Sequence, residues 1–290
     1  MCRVHPLLLL LLMAVASVSA HGQTLTQLRH QHPTQLVVRG ASPAPFETDV
    51  PVGATPVHYI SHGRSLLAWF AMPMEPTNKP IPAVLYAHQG FALTAQAWED
   101  ARPFVHAGFA VLLPAWRGEN GNPGEFERYC GEVEDAAEAL EYLRAQPGID
   151  KNRVYAAGDT MGGTTVFLLA ESGAAIRKAA TCSPFPDIAD AIRHGLTPQR
   201  WLFPYNWQND SENSLRSPGR HLKDLVCNLS IYNSSSDPLY QRQARALPAL
   251  ARKYGKVIPT REFAGTDQRT VVKPAVDAMI VEFRKDLLAK

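Results

Sequence analysis

Cysteine is scarce in this chain, with four residues among 290 and no C-x-x-C pair. That excludes a disulfide scaffold and a zinc ribbon. The ten histidines are scattered without metal-ligand spacing, so no metal is expected, and no cofactor is expected either. A dominant charge is also missing. Lys and Arg number 29 against 27 Asp and Glu, a net charge of +2, and no basic run occurs, so nucleic acid is not an expected partner. The 19 glycines follow no period and only 19% of residues are charged, which excludes collagen-like and disordered architectures. What is present is 46% hydrophobic residues in a chain long enough to bury a large core.

Residues 1–20 read as a secretory signal peptide. Arg3 supplies positive charge, Leu7 to Val15 an apolar run, and Val18-Ser19-Ala20 a small-residue cleavage site after Ala20. The stretch from Pro6 to Ala20 is shorter than the roughly 20 residues that span a bilayer. No later apolar run is long enough, so no membrane span is expected after cleavage, and the protein is expected to be secreted or periplasmic. Cleavage removes Cys2 and leaves Cys130, Cys182 and Cys227. An odd number leaves at least one free thiol or an intermolecular bridge. Cys182 and Cys227 flank predicted core strands and read as small buried hydrophobes, with a bridge between them left open.

Residues 21–55 are polar and proline-containing and read as an irregular lead-in. Strands are then predicted at Val57 to Ser61 and Ser65 to Ala71, joined through His62-Gly63-Arg64. Apolar strands follow at Ala83 to Ala87, Ala110 to Pro114, Val154 to Gly158, Ala179 to Cys182 and Leu229 to Tyr232, with a last strand at 257–263. Amphipathic helices are predicted at Ala95 to His106, Val133 to Ala145, Gly162 to Glu171, 239–254 and Pro274 to Leu288. Short buried strands alternating with helices imply one α/β domain over residues 56–290, with a mainly parallel sheet covered on both faces. A segment of about 186–224, rich in Trp, Pro and Asn, reads as a cap-like insertion.

The informative motif is Gly158-Asp159-Thr160-Met161-Gly162-Gly163, between a buried strand and a helix. That is the context of a G-x-S-x-G nucleophile elbow, although a generic glycine-rich turn has the same pattern. Around it the chain resembles the α/β-hydrolase superfamily, in particular the prolyl oligopeptidase (S9) catalytic domain and dienelactone hydrolase-like proteins. His88-Gln89-Gly90-Phe91 is similar to the H-G-G oxyanion loop, and Arg117-Gly118-Glu119-Asn120-Gly121 to the family's R-G-x-x-G segment. Arg216-Ser217-Pro218 and Asp237-Pro238 follow in the expected order. The resemblance covers roughly residues 55 to 288 and implies an eight-stranded-type α/β-hydrolase fold without the N-terminal propeller. It further implies Thr160 at the nucleophile position, Asp237 at the acid position, Gln268 at the histidine position, and the Gly90 and Met161 amides as oxyanion donors.

Two of these positions depart from the family. Thr160 stands where serine is usual, and Gln268 stands in Gly265-Thr266-Asp267-Gln268-Arg269 where histidine is usual. His221 is the last histidine in the chain, so none follows Asp237. An amide is not a base near neutral pH, and a β-branched residue at an elbow with positive φ is disfavoured. Surrogate bases considered are Asp267, Asp159 and His88, the last expected to be structural. The expectation is an exported protein of this family without triad hydrolysis, acting as a ligand-binding or regulatory protein for a small molecule or peptide. The alternatives are a slow or specialised ester, lactone or peptide hydrolase using Thr160, and a structural partner of an active homologue. Trp201, Phe203, Pro204, Tyr205 and Trp207 are expected either to line a pocket or to pack the cap. Arg117 is expected in a structural salt bridge. Asn209, Asn228 and Asn233 fall in glycosylation-type sequons.

Overall fold

A computed structural model of the chain describes residues 23–46, 49–74 and 78–289; the signal-peptide segment falls outside the described residues. In chain order the elements are α1 (Leu25–Gln31), β1 (Thr55–Ser61), β2 (Arg64–Ala71), β3 (Ile81–Ala87), α2 (Ala95–His106) and β4 (Ala110–Pro114). Next come α3 (Gly131–Ala145), β5 (Ile149–Asp159), α4 (Met161–Glu171), β6 (Lys178–Cys182), α5 (Ile188–Arg193) and α6 (Asp210–Ser214). β7 (Asn228–Ser234), α7 (Pro238–Arg252), β8 (Thr260–Phe263) and α8 (Val272–Leu288) complete the fold.

The eight strands form one sheet in the order β1-β2-β4-β3-β5-β6-β7-β8. β1 and β2 pair antiparallel, as does β2 with β4, and every remaining pair is parallel. Strand order reverses between β3 and β5, and in open α/β sheets the crevice at that reversal is where ligands and chemistry collect. Apolar side chains alternate between two cores. Leu85, Ala156 and Ile231 face α3, α4 and α7 with Leu140, Val166 and Leu247. Val84, Tyr86 and Tyr155 face α2 and α8 with Phe104, Met279 and Phe283. Tyr155 and Phe283 stack at 4.6 Å. Aromatic pairs of this kind contribute about 0.5–1.5 kcal/mol beyond the area they bury.

The lead-in, read from sequence as irregular, contains α1. Its capping box joins Thr24 and Gln27, and the Leu25 amide donates to Asp224 Oδ2 at 2.8 Å. Further on it runs as a strap along the domain. Leu36 forms a β-bridge with Tyr205, Val38 N donates to Pro204 O at 3.0 Å, and Phe126 N donates to Gly40 O at 2.9 Å.

Candidate active site

The elbow is built by close packing. β5 ends at Asp159, α4 begins at Met161, and Thr160 between them has φ 51° and ψ −106°. A Cβ on Gly162 would lie 2.0 Å from the Ala87 carbonyl oxygen, and one on Gly158 would lie 2.7 Å from Gly162. These positions require glycine because the first turn of α4 presses on the end of β3. The Thr160 amide donates to Cys182 O at 2.8 Å, pinning the turn to β6. A β-branched residue at this positive φ stores roughly 1–3 kcal/mol of strain, which the surrounding contacts must overcome.

Gly90, after β3, and Met161, the first residue of α4, line one cavity of about 10 Å³ with Gly162 and Thr165. Neither backbone amide has a hydrogen-bond partner among the described residues. An unpartnered donor at the N-terminus of α4 and another in the loop after β3 are the donor types that suit a developing oxyanion, although Thr160 does not line this cavity. Phe91, next in the loop, meets the edges of Phe126 and Trp201, each at 5.6 Å. The strap reaches this loop, where Ser42 Oγ donates to Phe91 O.

The groups available for proton transfer are arranged otherwise. Asp237 is the N-cap of α7, its Oδ1 accepting from Leu239 N at 3.0 Å and Tyr240 N at 3.4 Å. Gln268 Nε2 donates to the Tyr240 hydroxyl at 2.9 Å. The two share Tyr240 as a neighbour without bonding each other, and Tyr240 is itself packed on Phe185 at 4.6 Å. Thr160 Oγ1 has no hydrogen-bond partner among the described residues, and Thr160 is 8% exposed.

Of the surrogate bases, His88 and Asp267 are engaged elsewhere and Asp159 is buried with one oxygen bonded. Both His88 ring nitrogens face acceptors, Nδ1 the Gln89 carbonyl at 3.0 Å and Nε2 the Glu119 carboxylate at 3.1 Å. Burial lowers the imidazole pKa, but the charge and hydrogen bond of Glu119 outweigh it and the net shift is upward. Both ring nitrogens are thus occupied by the Gln89 and Glu119 oxygens, and neither bonds Thr160. Asp159 is buried among the residues of the α2 face, with Oδ1 accepting from Tyr86 OH at 3.2 Å and Oδ2 unpartnered. Burial, then the nearby Asp100 charge, pushes its pKa up to about 7. Asp267 is exposed and caps its own turn, accepting from Thr270 N and Oγ1 at 2.8 Å each, and these bonds lower its pKa.

Among the other sequence candidates, Arg117 forks onto Asp135 through Nε at 3.0 Å and Nη2 at 2.8 Å, a structural ion pair with both partners buried. The aromatic residues of the insertion divide. Phe203 and Tyr205 are buried under the guanidinium groups of Arg128 (4.3 Å) and Arg216 (3.6 Å), whereas Trp201 is 48% exposed beside Phe91. Asn209 and Asn228 are exposed, but Asn233 is buried in β7 and cannot serve as a glycosylation acceptor in the folded chain. Cys130, Cys182 and Cys227 are all free. Among the described residues no three His, Cys, Asp or Glu side chains cluster as a metal site.

One group went unnoticed in the sequence. Glu132 lines the cavity beside Gly90 and Met161, its Oε1 accepting from Glu127 N at 2.6 Å and Arg128 N at 2.9 Å while Oε2 is unpartnered. Burial, then the Glu127 charge, pushes its pKa up to about 7. The available signal was the spacing of Glu132 and Asp135, which places two acids on the buried side of α3.

The model of the X-Pro dipeptidyl-peptidase (S15 family) matches residues 62–269. The chain belongs to the S15 peptidase family. Among solved structures, this S15-family chain is similar to Pyrococcus horikoshii acylaminoacyl peptidase, with 16% identity and a TM-score of 0.67 over 80% of this chain and 41% of that one. It is similar to a Mycobacterium tuberculosis puromycin-hydrolyzing peptidase, with 17% identity and a TM-score of 0.68 over 82% of this chain and 40% of that one. A Pyrobaculum calidifontis esterase has 16% identity and a TM-score of 0.66, with 86% and 88% of the two chains covered. The S15-family chain thus spans about two fifths of the length of the two peptidases and nearly all of the esterase. At these identities the likeness establishes the α/β-hydrolase fold. Comparison with curated protein sequences finds no match.

Proposed function

We propose that this S15-family chain is an exported α/β-hydrolase-fold protein that does not carry out triad hydrolysis and instead binds a small molecule or peptide as a ligand-binding or regulatory protein. The observation that carries the reading is Gln268, which stands where the family places its histidine, donates to Tyr240 OH, and has no histidine near it in sequence. In a subtilisin-type site, loss of nucleophile or base alone lowers the rate about 10⁶-fold, roughly 8 kcal/mol of barrier. The engagement of His88 and Asp267 supports the same conclusion, and Asp159, next to Thr160 in the chain, turns its carboxyl into the buried α2 face, where Tyr86 donates to it. Export rests on the leader in residues 1–20 with cleavage after Ala20.

The test is turnover of p-nitrophenyl esters and of X-Pro-p-nitroanilide substrates by the purified protein, with fluorophosphonate labelling alongside. The expected result is no labelling and no turnover above buffer. A second reading, slow hydrolysis through Thr160, draws on the unpartnered Gly90 and Met161 amides, which leave an oxyanion hole in place. On that reading an ester or dipeptide is turned over and Thr160→Ala abolishes it.

A further inference from the structure

We propose that a groove between α5 and α7 is a binding site for an organic monocarboxylate with an apolar tail, of the medium-chain fatty-acid type. The groove has a volume of about 360 Å³, within the usual range for small-ligand sites. None of Thr160, Asp237, Gln268, Gly90 or Met161 lines it, so the inference stands apart from any chemistry at the elbow.

Its apolar lining comes from Pro186, Ala246, Leu247 and Leu250, and Arg193 and Arg242 line it as well. The two acids in the wall differ in what they leave free. Asp187 is fully engaged, taking Arg220 Nε at 2.9 Å and Nη2 at 3.2 Å and the Asp190 amide at 2.9 Å. Asp190 faces Arg193 Nη2 at 3.5 Å, His194 at 3.2 Å, and the fork of Arg242 through Nε at 3.5 Å and Nη2 at 3.4 Å. Charge-assisted pairs close at about 2.7–2.9 Å, and on the same helix Arg245 does so with Glu262, at 2.7 and 2.8 Å. Arg193 and Arg242 therefore share one carboxylate at long range. Arg193 Nε and Nη1 and Arg242 Nη1 have no partner among the described residues, and the two side chains are 60% and 55% exposed.

The open fork of Arg193 and the long contacts of Arg242, beside apolar lining, fit a single anionic head with a hydrocarbon tail. The planar fork matches a carboxylate in two-point contact, and Leu247 and Leu250 would cover the tail. A bare inorganic anion would leave the apolar lining exposed, and an uncharged amphiphile would leave both arginines as they are.

Calorimetric titration of the purified protein tests this with octanoate, octanol and inorganic phosphate as probes. Octanoate is expected to bind saturably, one per chain, with octanol and phosphate at least about tenfold weaker, as loss of a charged hydrogen bond implies. Arg193→Gln with Arg242→Gln is expected to weaken octanoate at least about tenfold and leave octanol unchanged. Leu250→Gln is expected to weaken octanoate and octanol together. These are exposed or half-exposed positions, and the single change Arg242→Gln repeats the test if the double unfolds. Absence of saturable octanoate binding, octanol or phosphate binding as tightly, or binding that survives loss of both arginines would each overturn the proposal. Failure here leaves the assignment at the elbow untouched, because that assignment is read by ester turnover.

Discussion

The two ends of the crevice differ in how they are held. At the β3–β5 end, Gly158 and Gly162 let α4 pack on the Ala87 carbonyl, Thr160 is pinned to Cys182, and the Gly90 and Met161 amides stand unpartnered. At the β7–β8 end, Asp237 caps its own helix and Gln268 bonds Tyr240. The first end consists of backbone positions fixed by packing, and a side-chain change there would disturb the fold. The second consists of side chains on loop and helix ends, where a replacement gives up a cap or a single hydrogen bond, about 1 kcal/mol each. The backbone geometry of the first end is thus tied to folding more closely than the side chains of the second.

The strongest break in that contrast would come at Gly162. Gly162→Ala places a methyl 2.0 Å from a backbone oxygen. It is expected to cost about 4 kcal/mol or more, or to prevent folding. Gln268→Ala, at the other end, is expected to shift stability by roughly 1 kcal/mol, the value of one hydrogen bond. Urea denaturation of both variants measures the difference, and equal midpoints would dissolve the distinction between the two ends.

A smaller effect concerns pH. Asp159 and Glu132 both flank the elbow region with pKa values of about 7, above their ordinary values of 3.8 and 4.5. A carboxyl whose folded pKa is raised holds its proton longer when folded, so folding stability is lost as pH rises from about 4 to about 7. The slope is about 1.4 kcal/mol per pH unit for each such proton. Asp159→Asn is expected to flatten the decline by one proton, seen as a smaller change in urea midpoint between pH 5 and pH 8. An unchanged slope would mean that Asp159 ionises freely.

The smallest effect is expected at Thr160 itself. Thr160→Gly relieves the strain of a β-branched residue at φ 51°, but glycine also gains freedom in the unfolded chain. A net stabilisation of no more than about 1 kcal/mol is expected. Thermal unfolding reads it, and a clear destabilisation would show that the methyl group packs rather than strains.

How far the sequence foretold this arrangement depended on the range of the contacts. α2 at Ala95–His106 and β4 at Ala110–Pro114 coincide with the residues their periodicity marked. β5 starts earlier than its apolar core, at Ile149, because that residue pairs with Ile81 across a register shift in spite of the polar Asp150 to Arg153 between. β8 begins at Thr260 rather than 257, since only Thr260 to Phe263 pair with β7 and Val257 is exposed. The elbow was legible because glycine spacing encodes it locally. The strap was not, because Leu36–Tyr205 and Leu25–Asp224 join residues far apart in the chain. Nor was the Gln268–Tyr240 bond, for the same reason. Burial of Glu132 was hidden because a charged residue early in a helix ordinarily reads as a solvated first turn.

The measurement that bears most directly on the central claim is ester turnover in the wild type, Thr160→Ser, Gln268→His and the double variant, each checked for folding. If the β3–β5 end is intact and only proton transfer is missing, the double variant alone acquires turnover, because nucleophile and base act as a unit. Asp237 would then orient the new imidazole, and the Gly90 and Met161 amides would receive the oxyanion. Turnover in the wild type that disappears in Thr160→Ala would contradict the account, and so would a folded double variant with no turnover at all.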